Sequence, residues 1–250
     1  MKIFYYDGTL EGFLTLLHLL VLKKEFLQEV LIKNLRIFPK ESNLFAEYIP
    51  TNFELAKKFN FYLKNILPEE FYKKIYLYYL CDTSQLEMPL VRVLRKLIYE
   101  NKNFYKNLLD EDINKLYKAE KSFHREKHRF LGLLRFIELP DKTLWAKFAP
   151  KFNLLPKLWN HFVRRFPKEN MIIFDTLRKL IFIYREKNKG LFWIDGLEIE
   201  ILPTIDPFIK LWQTYFREIA VPERKSYKRQ RERLPLRFRK FLPEFYPLSL

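Results

Sequence analysis

The chain has 250 residues, with 46 Lys/Arg against 30 Asp/Glu and a formal net charge of +16, long enough to bury one large core or two small ones. A single cysteine, five glycines and an aromatic share of 18% exclude a disulfide framework, a thiolate zinc site, an iron–sulfur motif and a glycine-rich nucleotide loop, so no cofactor is expected. The charge is uneven: residues 1–110 carry 16 Lys/Arg and 13 Asp/Glu, residues 111–250 carry 30 and 17, as expected where a region neutralises phosphates.

Residues 2–6 read as a strand ended by the turn Asp7-Gly8, and Thr9 caps a helix from residue 10 to about 26. Its apolar residues recur too densely for a surface helix, which predicts packing on more than one side. The run 13–22 is too short to span a bilayer and no signal core precedes it, so a cytoplasmic protein without a membrane partner is expected. A second short strand falls at 45–49. Helices follow at 52–67, where Asn52 is the cap, at 68–80, where Pro68-Glu69-Glu70 suits a first turn, and at 86–100. The polar stretch 101–110 marks a boundary, giving regions 1–108 and 109–250.

A long helix is predicted from residue 111 to 131, then strands at 133–138 and 144–149 and a helix at 154–166. Short aromatic and β-branched runs at 171–175, 180–185, 191–195 and 197–202, punctuated by Asn188, Gly190 and Asp195-Gly196, predict an antiparallel meander. Asp206-Pro207 opens a helix to about 219, and a basic tail runs from 222 to 240. The expected fold class is α+β: a helix-rich N-terminal half with one or two short strands, and a C-terminal half with an antiparallel meander flanked by helices.

The densest chemistry is Phe-His-Arg-Glu-Lys-His-Arg at 123–129. Helical placement puts Lys118, Lys121, Arg125 and Arg129 in one sector, a stripe suited to a phosphate backbone. Ile113, Leu116, Phe123 and Leu131 fall opposite, with His124 beside them and Glu120 one turn earlier. His124 and His128 then form either a pair for a metal or for proton transfer, with Glu120 orienting His124 and Asp175 or His161 as a further group, or a packed histidine beside a charged face. The zinc-protease motif is excluded by Arg125 and its inverted form by Lys127, and no metal site is assigned.

Arg164 and Arg165 close a helix beside His161. Cations are favourable there without any function, yet two adjacent arginines cannot both face a core. Asp175 and Arg178 make either an internal ion pair or an arginine held for phosphate contact. Between Glu223 and Lys240 stand nine Lys/Arg and two Glu, among them Arg224, Lys228, Arg229, Arg231 and Arg233, which predicts an arm or short helix facing a polyanion. Tyr227 and Phe238 are candidates for stacking on unpaired bases.

Three stretches, Tyr-Tyr-Asp-Gly-Thr-Leu-Glu-Gly-Phe-Leu at 5–14, the histidine run at 123–129 and Arg-Arg-Phe-Pro at 164–167, resemble an uncharacterised bacterial family. Ile173-Phe174-Asp175 with Arg178, Trp212 with Tyr215-Phe216, and Pro222-Glu223-Arg224 extend the resemblance across most of the chain. It is a family of probable DNA-metabolism proteins encoded beside a radical-SAM enzyme similar to spore photoproduct lyase, and it also occurs fused to uracil-DNA-glycosylase-like domains. The resemblance implies a DNA-binding accessory protein working with that separate enzyme in DNA repair or modification. The alternative is a DNA-directed hydrolase, a nuclease or glycosylase, using His124 and His128.

Overall fold

The computed structural model describes residues 2–22, 30–38, 46–83, 85–194, 207–219, 221 and 226–245. They gather into two compact units, residues 1–126 with 151–153, and residues 127–150 with 154–250. The architecture is mixed α and β, helical in the N-terminal half and built on a five-stranded sheet in the C-terminal half. Among the described residues no helix is long and apolar enough to cross a membrane.

The first unit holds a three-stranded parallel sheet with β1 (Lys2–Tyr6) between β2 (Val30–Asn34) and β3 (Ala46–Tyr48). Phe4, Tyr5 and Tyr6 are fully buried, which fits a central parallel strand covered on both faces. The expected strands at 2–6 and 45–49 are present; β2 is an addition to them. At the end of β1, Asp7 accepts from Thr9 N (2.9 Å), Thr9 Oγ1 (2.7 Å) and Thr51 Oγ1 (2.7 Å). Thr9 Oγ1 in turn accepts from Gly12 N at 3.0 Å and caps α1 (Leu10–Leu22). A side chain at Gly12 would collide with the Asp7 carboxylate.

Helix α1 packs against α2 (Phe53–Ile66), α3 (Glu69–Leu80) and α4 (Glu87–Tyr99), which is why its apolar residues surround it. The predicted continuation to residue 26 lies outside the described residues. Asn52 caps α2, accepting from Leu55 N at 2.9 Å. Asp110 caps α5 (Glu111–Leu133), accepting from the Asp112 and Ile113 N–H groups.

The second unit carries the sheet β4-β5-β6-β7-β8. Strands β4 (Ile137–Glu138) and β5 (Leu144–Phe148) are antiparallel. Helix α6 (Leu155–Arg165) connects β5 to its parallel neighbour β6 (Met171–Asp175). β6, β7 (Leu180–Arg185) and β8 (Asn188–Trp193) form the expected antiparallel meander. Its last turn is Glu186-Lys187, both at positive φ, the backbone that a two-residue hairpin needs to match strand twist. Asn188 and Gly190 therefore lie in β8 and not in the turn, and the strand proposed at 197–202 falls outside the described residues.

Leu155, Leu158 and Phe162 of α6 are buried with Met171, Ile173 and Phe182 of the sheet, and Trp159 stacks on Phe182 at 5.2 Å. The unit also contains α7 (Pro207–Glu218), α8 (Tyr227–Arg233) and α9 (Leu236–Arg239).

Candidate functional site

Helix α5 is positioned by a stripe of buried residues, Ile113, Leu116, Ala119, Phe123, Glu126 and Phe130, at the three- and four-residue spacing of one helix face. Glu126, 3% exposed, is the informative member. Its carboxylate accepts from Lys151 N and Phe152 N, each at 3.1 Å, so a charged residue occupies the inward face by satisfying two backbone donors.

That phase sets the outward face. In the first unit it carries Lys115, Lys118, Lys121, Ser122, His124 and Arg125, all exposed. His124 is therefore not on the buried side where the helical placement put it: the buried arc is centred on Leu116, Phe123 and Glu126. Its ring meets Phe123 edge-on at 5.8 Å, while Glu120, expected to orient it, is paired with Lys74 at 3.0 Å. A groove of about 260 Å³ runs along this helix, lined by Gln85, Leu86, Lys115, Lys118, Ala119, Ser122, Lys151 and Phe152. Lys151 gave no sequence signal, because only the fold brings its loop beside α5.

In the second unit His128 and Arg129 are exposed, and the Arg129 guanidinium lies 5.5 Å over Phe238. Phe238 is 3% exposed and edge-on to Phe130 at 5.2 Å, so it anchors the C-terminal segment and cannot stack on a base. His161, Arg164 and Arg165 all face solvent at the end of α6. The basic tail forms α8, capped by Ser226, with Tyr227, Lys228, Arg229, Arg231 and Arg233 exposed. Arg224 lies outside the described residues.

Asp175 and Arg178 differ from these. Both are buried, their side chains wholly inaccessible, and pair at 3.1 Å. Asp175 also accepts from the N–H groups of Leu177 and Arg178, and Arg178 donates to Pro150 O at 3.1 Å. The pair locks the β6–β7 turn, which replaces both the phosphate-contact expectation for Arg178 and the catalytic one for Asp175.

Several acids of this half are held by partners, while Glu138, Asp141, Glu169 and Glu218 stay exposed. Asp112 grips Arg92 through two bonds of 2.7 and 2.6 Å, Asp110 holds Lys96, Glu120 holds Lys74 and Glu244 holds Arg135. Lys118, Lys121, Arg125, Arg164 and the α8 cations have no carboxylate partner among the described residues. Such a surface concentrates polyanions. Among the described residues no group of three or more His, Cys, Asp or Glu is arranged to hold a metal.

No curated protein matches the chain. A family model does, from the end of the first helical region through the basic C-terminal helices, and the match spans more than half of the sequence: by residues 84–244, the chain belongs to the family described as domain of unknown function DUF4130.

Proposed function

We propose that this is a cytoplasmic DNA-binding accessory protein of DNA repair or modification, acting with a separate radical-SAM enzyme. The observation that carries the binding is a set of exposed cations, Lys118, Lys121 and Arg125 on α5, Arg164 on α6 and those of α8, without carboxylate partners among the described residues, while Asp112, Glu120 and Asp175 are held in ion pairs. Lys118, Lys121 and Arg125 on α5, and separately Arg129, Arg164, Arg165 and the cations of α8, supply phosphate contacts. The repair context and the radical-SAM partner come from the resemblance of the histidine run, the Arg-Arg-Phe-Pro run and Trp212-Tyr215 to that family, as does kinship with chains fused to glycosylase-like domains. The hydrolase reading keeps two exposed imidazoles but loses its proposed helpers, since Glu120 and Asp175 are committed to Lys74 and Arg178.

The test is a fluorescence-anisotropy titration with DNA over a salt series. A linear fall of log affinity with log salt is expected; affinity that ignores salt, or no affinity, refutes the reading. Co-expression with the radical-SAM enzyme tests the partnership, with co-purification as the expected result.

A further inference from the structure

Helix α7 turns one side inward and leaves an aromatic side uncovered. Gln213, 8% exposed, donates to Pro243 O at 2.7 Å, and Phe216 meets Phe245 edge-on at 5.7 Å. On the adjoining side Trp212 and Tyr215 are 40% and 54% exposed. They are not independent surface rings. Their centroids lie 5.7 Å apart with an interplanar angle of 29°, the offset stack that aromatic pairs prefer.

The stack is also held from behind. Trp212 Nε1 donates to Glu244 Oε2 at 3.3 Å, and the other oxygen of Glu244 accepts from Arg135 at 3.1 Å. The indole orientation is thus tied to α5's end through a carboxylate whose side chain is only 6% exposed. A pre-oriented ring loses little freedom on binding, which favours a ligand with a flat partner surface.

Charge selects among flat partners. Residues 207–219 and 226–245 contain nine Lys/Arg and three Glu, one of those three being the Glu244 already engaged. A second copy of this chain would bring its own net +16 against that excess. Phosphates alone would have no use for the rings, and an apolar protein groove would have none for the cations. Single-stranded nucleic acid supplies both phosphates and accessible base faces, whereas a duplex hides its bases in the stack.

We infer that Trp212 and Tyr215 form a stacking platform for unpaired bases of a strand whose phosphates the basic C-terminal segment attracts. The inference rests on the DNA-binding reading and deepens it, from phosphate contact in general to single-stranded nucleic acid. It adds a direct base contact that Phe238 cannot make.

The experiment compares three labelled probes carrying equal numbers of phosphates: oligodeoxythymidylate, an abasic strand and a hairpin duplex. Wild-type protein binds oligodeoxythymidylate about tenfold more tightly than the abasic strand, the scale of one or two stacking contacts. Trp212→Ala and Tyr215→Ala abolish that preference and leave abasic affinity unchanged, while Trp212→Phe, which keeps a ring, retains most of it and covers the case in which Trp212→Ala does not fold. Equal wild-type affinity for base-bearing and abasic strands overturns the platform and leaves phosphate binding standing. Unchanged oligonucleotide affinity in the variants, with loss of a co-purifying protein, overturns it in favour of a protein-docking face. Failure to bind any of the three probes overturns the DNA-binding reading with it.

Discussion

Two stretches of this chain place acids and arginines close together, and the fold treats them oppositely. At the β6–β7 turn Asp175 and Arg178 are sealed from solvent and bound to each other and to backbone groups. On α5 one acid, Glu126, goes inward to cap two N–H groups, and the cations around it stay outside. The residue types are alike; what differs is whether a nearby unsatisfied backbone group or partner charge can repay desolvation. The buried charges, Asp175, Arg178 and Glu126, should therefore govern stability, and the outward cations of α5 binding.

The largest effect is expected where that compensation is removed. Arg178→Met strands the Asp175 carboxylate in the interior and should cost about 3–5 kcal/mol in denaturant unfolding. Replacing both residues together by Asn and Met should cost less than the sum of the single changes, because neither then leaves an unpaired charge. DNA affinity per folded molecule should not move. A single variant within 0.5 kcal/mol of wild type, roughly the scatter of surface substitutions, would erase the distinction between the two stretches.

Glu87 is a buried acid that pairs with no cation among the described residues. It is 6% exposed, and burial, opposed by a bond from its own N–H and reinforced by Asp82, raises its carboxyl to about 8. The folded state then keeps a proton that the unfolded chain releases near its ordinary value of 4.5. Stability is full below that value, falls as pH rises through the window, and levels off above about 8. Glu87→Gln should flatten this part of the profile and stabilise the protein at pH 7 by up to about 3 kcal/mol. A slope unchanged in Glu87→Gln would assign the pH dependence to other groups.

Glu126→Ala comes next. The buried Phe152 N–H and the part-buried Lys151 N–H would lose their acceptor, for roughly 1–3 kcal/mol, whereas Glu126→Gln keeps an oxygen in place and should recover much of that. Equal losses in both variants would show that the charge matters more than the acceptor.

These contrasts also mark what was legible. The strands at 2–6, 171–175 and 180–185 and most helices follow from local period and caps, and their burial is as that period requires. β2 was not legible, because Val30–Asn34 is a strand through its parallel pairing with β1 more than through any alternation of its own. The phase of α5 has a nonlocal component: Glu126 faces inward because it meets donors 25 and 26 residues away, which no local period shows, and His124 lies outside the buried arc. Phe238 stands among arginines like a surface ring, yet Phe130, far off in sequence, buries it. Lys118, Lys121, Arg125 and Arg129 are exposed, as the amphipathic period of α5 requires, whereas Arg178 is buried by a partner that only the β6–β7 turn brings to it.

The smallest effect on stability should accompany a large one on binding. Lys118, Lys121 and Arg125 touch no carboxylate among the described residues and lie on the outward face of α5, so their joint replacement by Ala should change unfolding free energy by no more than about 0.5 kcal/mol. If each neutralises one phosphate, the slope of log affinity against log salt should become shallower by roughly two to three, with the loss greatest at low salt. Charge-conserving Lys replacement of Arg125 should preserve the slope and lower affinity slightly, since it removes only the bidentate grip. A triple variant with an unaltered slope would move the phosphate contacts off α5 and onto α6 and α8, where the same measurement on Arg164→Ala/Arg165→Ala and on the α8 cations would locate them.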